Sequence, residues 1–226
     1  MQDEILKHSR KIYKAASNSH HSFREKLKEI LIEIFIIFFA VTLSIWLHNW
    51  SEHKHQQEEV QSFFSDLKED LYKDMENLNA KKRTLSEALE SYKQIEQLKP
   101  EQVDTANNIG LQFHLSALQL NNGNYEGFKS SGKIGFIENK KLKKLILQYY
   151  QQTLPELNDV AKYQYSNDLQ TFEMIRSFNK PQNKLFLDHT IRAKINLDAT
   201  IAQSLIIACD QTLAQASQIL KEIDKK

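Results

Sequence analysis

The chain reads as all-α: one transmembrane helix, then a long helix and an antiparallel helical bundle of about four helices. Two observations predict this. Five glycines and three prolines in 226 residues leave few places to turn, and Leu, Lys, Gln, Glu and Ala are plentiful, which is the usage of long helices rather than sheets. The segment from Ile30 to Leu47, ILIEIFIIFFAVTLSIWL, is apolar except for Glu33, Thr42 and Ser44. Its 18 residues rise about 27 Å as a helix, close to the hydrocarbon thickness of a bilayer.

Trp46 and Trp50 stand at the far end of this run, where indole rings prefer the membrane interface. A cleaved signal peptide would share the basic start and the apolar stretch. Here the run begins only after about thirty residues and ends in WLHNWSEHKH, which contains no small-x-small cleavage site. A buried soluble helix would show a charged face, and Ile34 to Leu47 has none. The expected organisation is therefore a basic tail over 1–29, a transmembrane helix over 30–50 and an extracytoplasmic helical domain over 51–226.

The flanks set the orientation. Lys7, Arg10, Lys11, Lys14, Arg24, Lys26 and Lys28 precede the anchor, whereas Lys54 is the one Lys or Arg among Glu52, Glu58 and Glu59 just after it. The positive-inside rule places the N-terminus in the cytoplasm and residues 51 to 226 outside. The tail is expected to lie along anionic headgroups with an amphipathic turn around Ile5, Leu6, Ile12 and Tyr13, and to be too short for an output domain. Glu33 is expected either to snorkel to the headgroups or to meet a partner helix.

From Ile30 to Lys99 there is neither glycine nor proline, so one helix can leave the membrane and continue beyond it, up to about 105 Å. Val60, Phe64, Leu67, Leu71, Met75, Leu78, Leu85, Leu89, Tyr92 and Ile95 form its core-facing stripe. The stripe falters at Lys81, Lys82 and Arg83, where a bend or break is expected. Pro100 ends the helix. A second is expected over Thr105 to Leu120, then a turn at Asn121 to Asn124, a helical turn at Tyr125 to Lys129 and a short apolar stretch at Ile134 to Ile137.

Asn139 is the expected N-cap of a helix over Lys140 to Gln152. Thr153 to Glu156 has capping-box spacing with Pro155 in the first turn, so a kink and a new helix to about Phe178 are expected, closed by Pro181. After a loop around Gln182 to His189, a last helix runs from about Asp198 to Ile223.

The candidate chemistry is sparse. Gly127-Phe-Lys-Ser-Ser-Gly132-Lys133 matches the first seven positions of a phosphate-binding loop, but Ile134 follows where magnesium needs Ser or Thr, and no buried strand precedes it. The favoured reading is a helix-to-helix corner: Gly132 supplies a special backbone conformation, Ser130 or Ser131 caps, and Tyr125, Phe128, Ile134 and Phe136 plug the end of the bundle. His48, Glu52 and His55 share one helical face, and Glu52 to His55 has the Glu-x-x-His spacing of di-iron bundles. The sequence holds no second such motif, so no metal is assigned and these three stand as candidates for a surface zinc ion. His114 and His189 are isolated.

Cys209 has no second cysteine to pair with and lies among Ile206, Ile207 and Ala208, as a core residue would. No nucleophile signature and no acid-base set is present, so no enzyme and no cofactor is expected. Lys and Arg total 30 against 29 Asp and Glu, which gives no electrostatic case for nucleic acid. The expected partners are the lipid bilayer and either another protein or a second copy. The expected role is an interaction or scaffolding module, with a sensory domain as the alternative.

The segment from Tyr125 to Ile146, together with Glu33-Ile-Phe-Ile-Ile and Trp46-Leu-His-Asn-Trp-Ser-Glu52, resembles an uncharacterised family of single-pass membrane proteins common in Bacteroidota. Its members look like an anchor ending in Asn-x-Trp-x-Glu, a charged helix, and a Tyr-x-x-Leu-Lys-Ser-Ser-Gly turn before a helix starting Asn-Lys. Phe39-Ala40 and Phe128 depart from that pattern. The resemblance implies a helical outer domain in the periplasm of a bacterial inner-membrane protein, and no activity.

Overall fold

The computed structural model describes residues 6–11, 13, 23–102, 111, 117–178 and 182–225. Among them the chain is all-α, with no strand, and divides into two units, Met1–Glu59 and Val60–Lys226.

Helix α1, Phe23–Glu96, is 74 residues long, as an uninterrupted run of helix-forming residues without Gly or Pro permits. Near its start lies the one described stretch long and apolar enough to cross a membrane, and none of it is buried inside the protein. Phe35, Phe38, Ile45, Trp46 and Trp50 are all more than half exposed. The segment 6–11 is also helical, whereas Ile5 and Ile12 lie outside the described residues.

In the second unit the buried positions of α1 are 60, 64, 67, 71, 74, 78, 81, 85, 88, 92 and 95, with Phe63, Asp70 and Ser91 beside them. This is a strict alternation of four and three, the seven-residue pattern of a left-handed helix seam. Each fully buried leucine of it, such as Leu67, Leu71 and Leu78, contributes roughly 1.5–3 kcal/mol. Of the bend or break expected at Lys81 to Arg83, the break is absent: the helix is continuous there. Lys81 is turned inward at a core position, 6 % exposed, and its backbone stays helical because a long side chain can bury its stem where Leu would sit.

Past α1, a single 3₁₀ turn covers Pro100–Gln102. Most of the helix expected over Thr105 to Leu120 lies outside the described residues, and 117–120, which are described, are not helical. Helix α2, Gly123–Ser130, is followed by a 3₁₀ turn over Lys133–Phe136 and by α3, Lys140–Gln148, where the Asn139 Oδ1 accepts the Leu142 amide at 3.1 Å. α4, Leu154–Ser177, comes next.

No restart separates α3 from α4. Tyr149–Thr153 is a π-helical turn, Thr153 keeps helical backbone angles, and its hydroxyl donates to Gln215 Oε1 at 2.6 Å rather than capping. Pro155 is the physical reason: its ring crowds the carbonyl four residues back and it has no N–H to give, and a widened turn relieves both without breaking the helix.

Helix α5, Gln182–Leu185, is a single turn inside the expected loop. α6, His189–Ile223, begins well before Asp198, because the Asp188 carboxylate accepts the Thr190 amide at 2.9 Å and starts it there. Cross-links set the directions. Lys68 pairs with Asp224 and Lys82 with Asp210, while Arg192 reaches the Leu98 carbonyl at 2.5 Å and Phe186 O at 2.7 Å. Rising numbers on α1 meet falling numbers on α6, so the two are antiparallel. Thr153 meets Gln215 and Asn167 meets Asp198, so α4 is also antiparallel to α6.

Two apolar clusters follow. One joins Val60 to Leu71 of α1 with Tyr125, Phe128, α3, the π turn and the end of α6; the other joins Leu78 to Leu98 with α4, α5 and the first half of α6.

Candidate functional site

At the apolar end of α1, His48 Nε2 lies 3.8 Å from Glu52, while His55 Nδ1 lies 3.5 Å from Glu58 instead. The three candidate ligands are therefore split between two surface pairs, and among the described residues no group of three His, Cys, Asp or Glu is placed to hold a metal. Trp46 and Trp50, one helical turn apart, are 60 % and 59 % exposed. Glu33 meets the chain's own first segment: His8 Nδ1 is 2.5 Å and Lys11 Nζ 4.0 Å from its carboxylate.

At the Ser-Ser-Gly corner, Gly132 has φ 77°, the one positive φ among the described residues, and ends α2. The hydroxyls of Ser130 and Ser131 donate to the Gly127 and Phe128 carbonyls at 3.1 and 2.9 Å. Tyr125 is fully buried and Phe128 nearly so, stacked on Phe63 at 4.0 Å, and Ile134 and Phe136 pack partly buried against the same cluster. A phosphate cradle is not formed here. Residues 127–130 are helical, and the Ser131 and Gly132 amides donate to Gly127 O and Lys129 O, so the N–H groups that would hold an anion are already used. Lys129 lies over the Tyr125 ring at 5.5 Å.

The corner stands beside a feature that no short motif announces. Tyr150, from the π turn, stacks on Tyr125 at 4.3 Å and meets Tyr149 edge-on at 5.0 Å. Asp74 of α1 is fully buried and accepts both the backbone and the side-chain N–H of Asn121, at 2.8 and 2.9 Å. Burial pushes its carboxyl up to about 6 against those hydrogen bonds. Its second oxygen and the Tyr149 hydroxyl are buried facing one another, and the Tyr150 hydroxyl is buried without a partner. Burial raises both phenols, the nearby carboxylates adding to it. Alongside runs an open groove of about 570 Å³, lined by Leu118 to Asn122, Tyr150, Leu154, Pro155, Asn158 and Asp159.

No known protein family, curated protein or solved structure matches this chain.

A second buried polar group crosses the domain farther along. The inward face of α4 changes from Leu154, Leu157 and Ala161 to Gln164, Asn167, Asp168 and Thr171, all buried. Gln164 donates to Asp168, and Asn167 donates to Asp198 of α6 while accepting from Lys194. Lys194 lies 3.4 Å from Asp198. Burial, helped by Asp198, pushes Asp168 up to about 6; burial likewise raises Asp198 and lowers Lys81, with Asp168 opposing the Lys81 change. Cys209 is fully buried, its thiol pushed up to about 11 by burial, which makes it inert rather than nucleophilic.

Sequence reasoning passed over Asp74, Lys81, Asp168 and Asp198 because each is polar. The signal was spacing: Asp74 and Lys81 lie seven apart on the α1 stripe, and 154, 157, 161, 164, 168 and 171 continue one helical face of α4. His114 lies outside the described residues, and His189 is an exposed first residue of α6.

Proposed function

We propose that the chain is a single-pass membrane protein, N-terminus in the cytoplasm, whose part over 51–226 is an extracytoplasmic bundle of about four helices serving as an interaction or scaffolding module. The resemblance to the uncharacterised Bacteroidota family adds the compartment, a bacterial inner membrane with the domain in the periplasm. The observation that carries the interaction role is on α4. Tyr165, Leu169 and Phe172, at i, i+4 and i+7, stay 40, 36 and 40 % exposed although the opposite face of the helix is buried. Such a stripe is the form in which one helix offers itself to another. No catalytic role is proposed, since the buried carboxylates face lysines and amides rather than a nucleophile.

A photo-crosslinking residue at position 169 in native membranes tests this reading. A discrete protein adduct, lost when Tyr165 and Phe172 are changed to Ser, is expected; labelling by water alone would contradict it. A sensory role is the second reading, favoured by α1, whose one unbroken helix carries both the apolar span and the core stripe of the domain. A change in the packing around Asp74 or Lys81 then acts on the same element that enters the membrane.

A further inference from the structure

We propose that the buried polar layer where α1, α4 and α6 meet is a proton-operated latch: with a proton on Asp168 the second half of α4 stays docked on the bundle, and without it that half lets go. The sequence of α4 prepares this. Its inward face is apolar as far as Ala161, but from 164 to 171 it consists of Gln164, Asn167, Asp168 and Thr171, all buried, while Tyr165, Leu169 and Phe172 on the other side stay exposed. Apolar burial resumes only in part, at Met174, Ile175 and Phe178, whereas α1 and α6 run through the same cluster with Leu85, Tyr92, Ile195 and Leu205. Release of 164–177 therefore forfeits little apolar burial, and the least firmly held segment is the one that opens first.

The layer is one hydrogen short. Gln164 gives an N–H to Asp168, Asn167 gives one to Asp198, and Lys194 donates to the Asn167 oxygen and lies 3.4 Å from Asp198. Thr171 faces Asp198, but its single hydrogen goes to the Asn167 carbonyl at 3.0 Å. The Gln164 oxygen and the second Asp198 oxygen are buried, and these bonds leave both without a donor of their own. Both are acceptors, and each carries the desolvation cost of an unmade hydrogen bond. A protonated carboxyl donates as well as accepts. A proton on Asp168 thus supplies the donor that the layer lacks and removes one of its two negative charges.

The groups around Asp168 fix the direction of the response. Among the described residues Lys81 and Tyr92 face it from α1, and Lys194 and Asp198 from α6. The two lysines oppose the proton; burial and the Asp198 charge outweigh them and push the carboxyl up to about 6. Freed from the bundle, it returns toward 3.8. The docked state binds the proton more tightly than the open one, so docking is firmest in acid and weakens as the pH rises through about 6. A half-helix of this length is marginal alone in water, and its amides exchange once it is released. The latch does not depend on whether the exposed α4 stripe holds a partner.

Hydrogen exchange of the full chain in detergent, read as protection factors, tests it. Between about pH 5 and about pH 8 protection over 164–177 should fall about tenfold, with a smaller change over 85–95 of α1. Asp168→Asn should keep 164–177 protected at both. Asp74→Asn, which removes the other carboxyl raised to about 6, should leave the fall in place. In that same variant, carbon NMR of labelled aspartate should show a carboxyl signal that titrates with the loss of protection, a reading that needs no change at Asp168. Equal protection at both pH values in the parent, an equal fall over 85–95, a fall that survives Asp168→Asn, or no aspartate signal titrating with the loss would each overturn the proposal.

Discussion

Asp168→Asn is expected to make the protein more stable above neutral pH and to leave it unchanged in acid. Asp168 is 4 % exposed and is faced by Gln164 on its own helix, by Lys81 and Tyr92 of α1, and by Lys194 and Asp198 of α6. Unfolded, it titrates near 3.8; folded, burial and the Asp198 charge hold it at about 6. The folded state keeps the proton between those values. Its contribution to stability is therefore complete below about 3.8 and is lost as the pH rises through about 6. Two pH units at about 1.4 kcal/mol each put the cost of ionising it near 3 kcal/mol at about pH 8. Asn has nearly the same shape, keeps an oxygen for Gln164 and carries no charge. Lys81 loses an opposite charge in exchange, so the net gain should be about 1–3 kcal/mol, or roughly 2–4 °C in Tm for each kcal/mol. Thermal unfolding of both proteins by circular dichroism, at about pH 4 and about pH 8, measures it. A variant less stable than the parent at the higher pH would refute the reasoning, because it would make the Asp168 carboxylate a net favourable partner of Lys81 and Lys194.

Two glycines at the corner should respond oppositely. Gly132→Val forces a side chain onto a φ of 77° and should cost about 1–2 kcal/mol, although a Cβ there meets no atom within 4 Å. Gly127→Ala, inside α2 with equally open space, should add about 0.5–1 kcal/mol, and Lys133→Ala should stay within about 0.5 kcal/mol, all read as Tm. Magnesium and ATP should leave every one of these unchanged; a nucleotide-dependent rise lost in Lys133→Ala would revive the phosphate loop. Arg192→Met removes the charged donors of the Leu98 and Phe186 carbonyls and should cost about 1.5–3 kcal/mol, with the fastest gain in amide exchange at the end of α1. Residues 56–226 without the apolar span should be soluble and strongly helical alone, and a fragment soluble only in complex with another protein would recast the module as a co-folding one.

Where the sequence alone was read correctly, periodicity carried the reading, and where it failed, a polar residue or a proline interrupted it. The apolar stripe of α1 was legible at Val60, Phe64, Leu67, Leu71 and Leu78. Its continuation was not, since Lys81 reads as a surface residue until its place in the alternation of fours and threes is counted. Pro155 suggested a kink and a new helix, yet the backbone absorbed it as a π turn without a break. α6 is capped at Asp188 rather than starting near Asp198 because one carboxylate caps it there, and Asp198 is instead a mid-helix residue buried against Asn167. The groove was hidden for a different reason. Asn121 is distant in the chain from Tyr150 and Asp159, and the fixing of the segment before α2 onto Asp74 brings it beside them.

The central claim is that α1 carries the chain across a membrane with the helical domain on the far side. A dual reporter fused after residue 226, with one half active only outside the cytoplasm and the other only within it, measures this directly in cells. The account predicts activity of the outside reporter alone, with the fusion protein remaining in the membrane fraction after washing with carbonate. Activity of the cytoplasmic reporter, or release of the fusion into the soluble fraction, would contradict it.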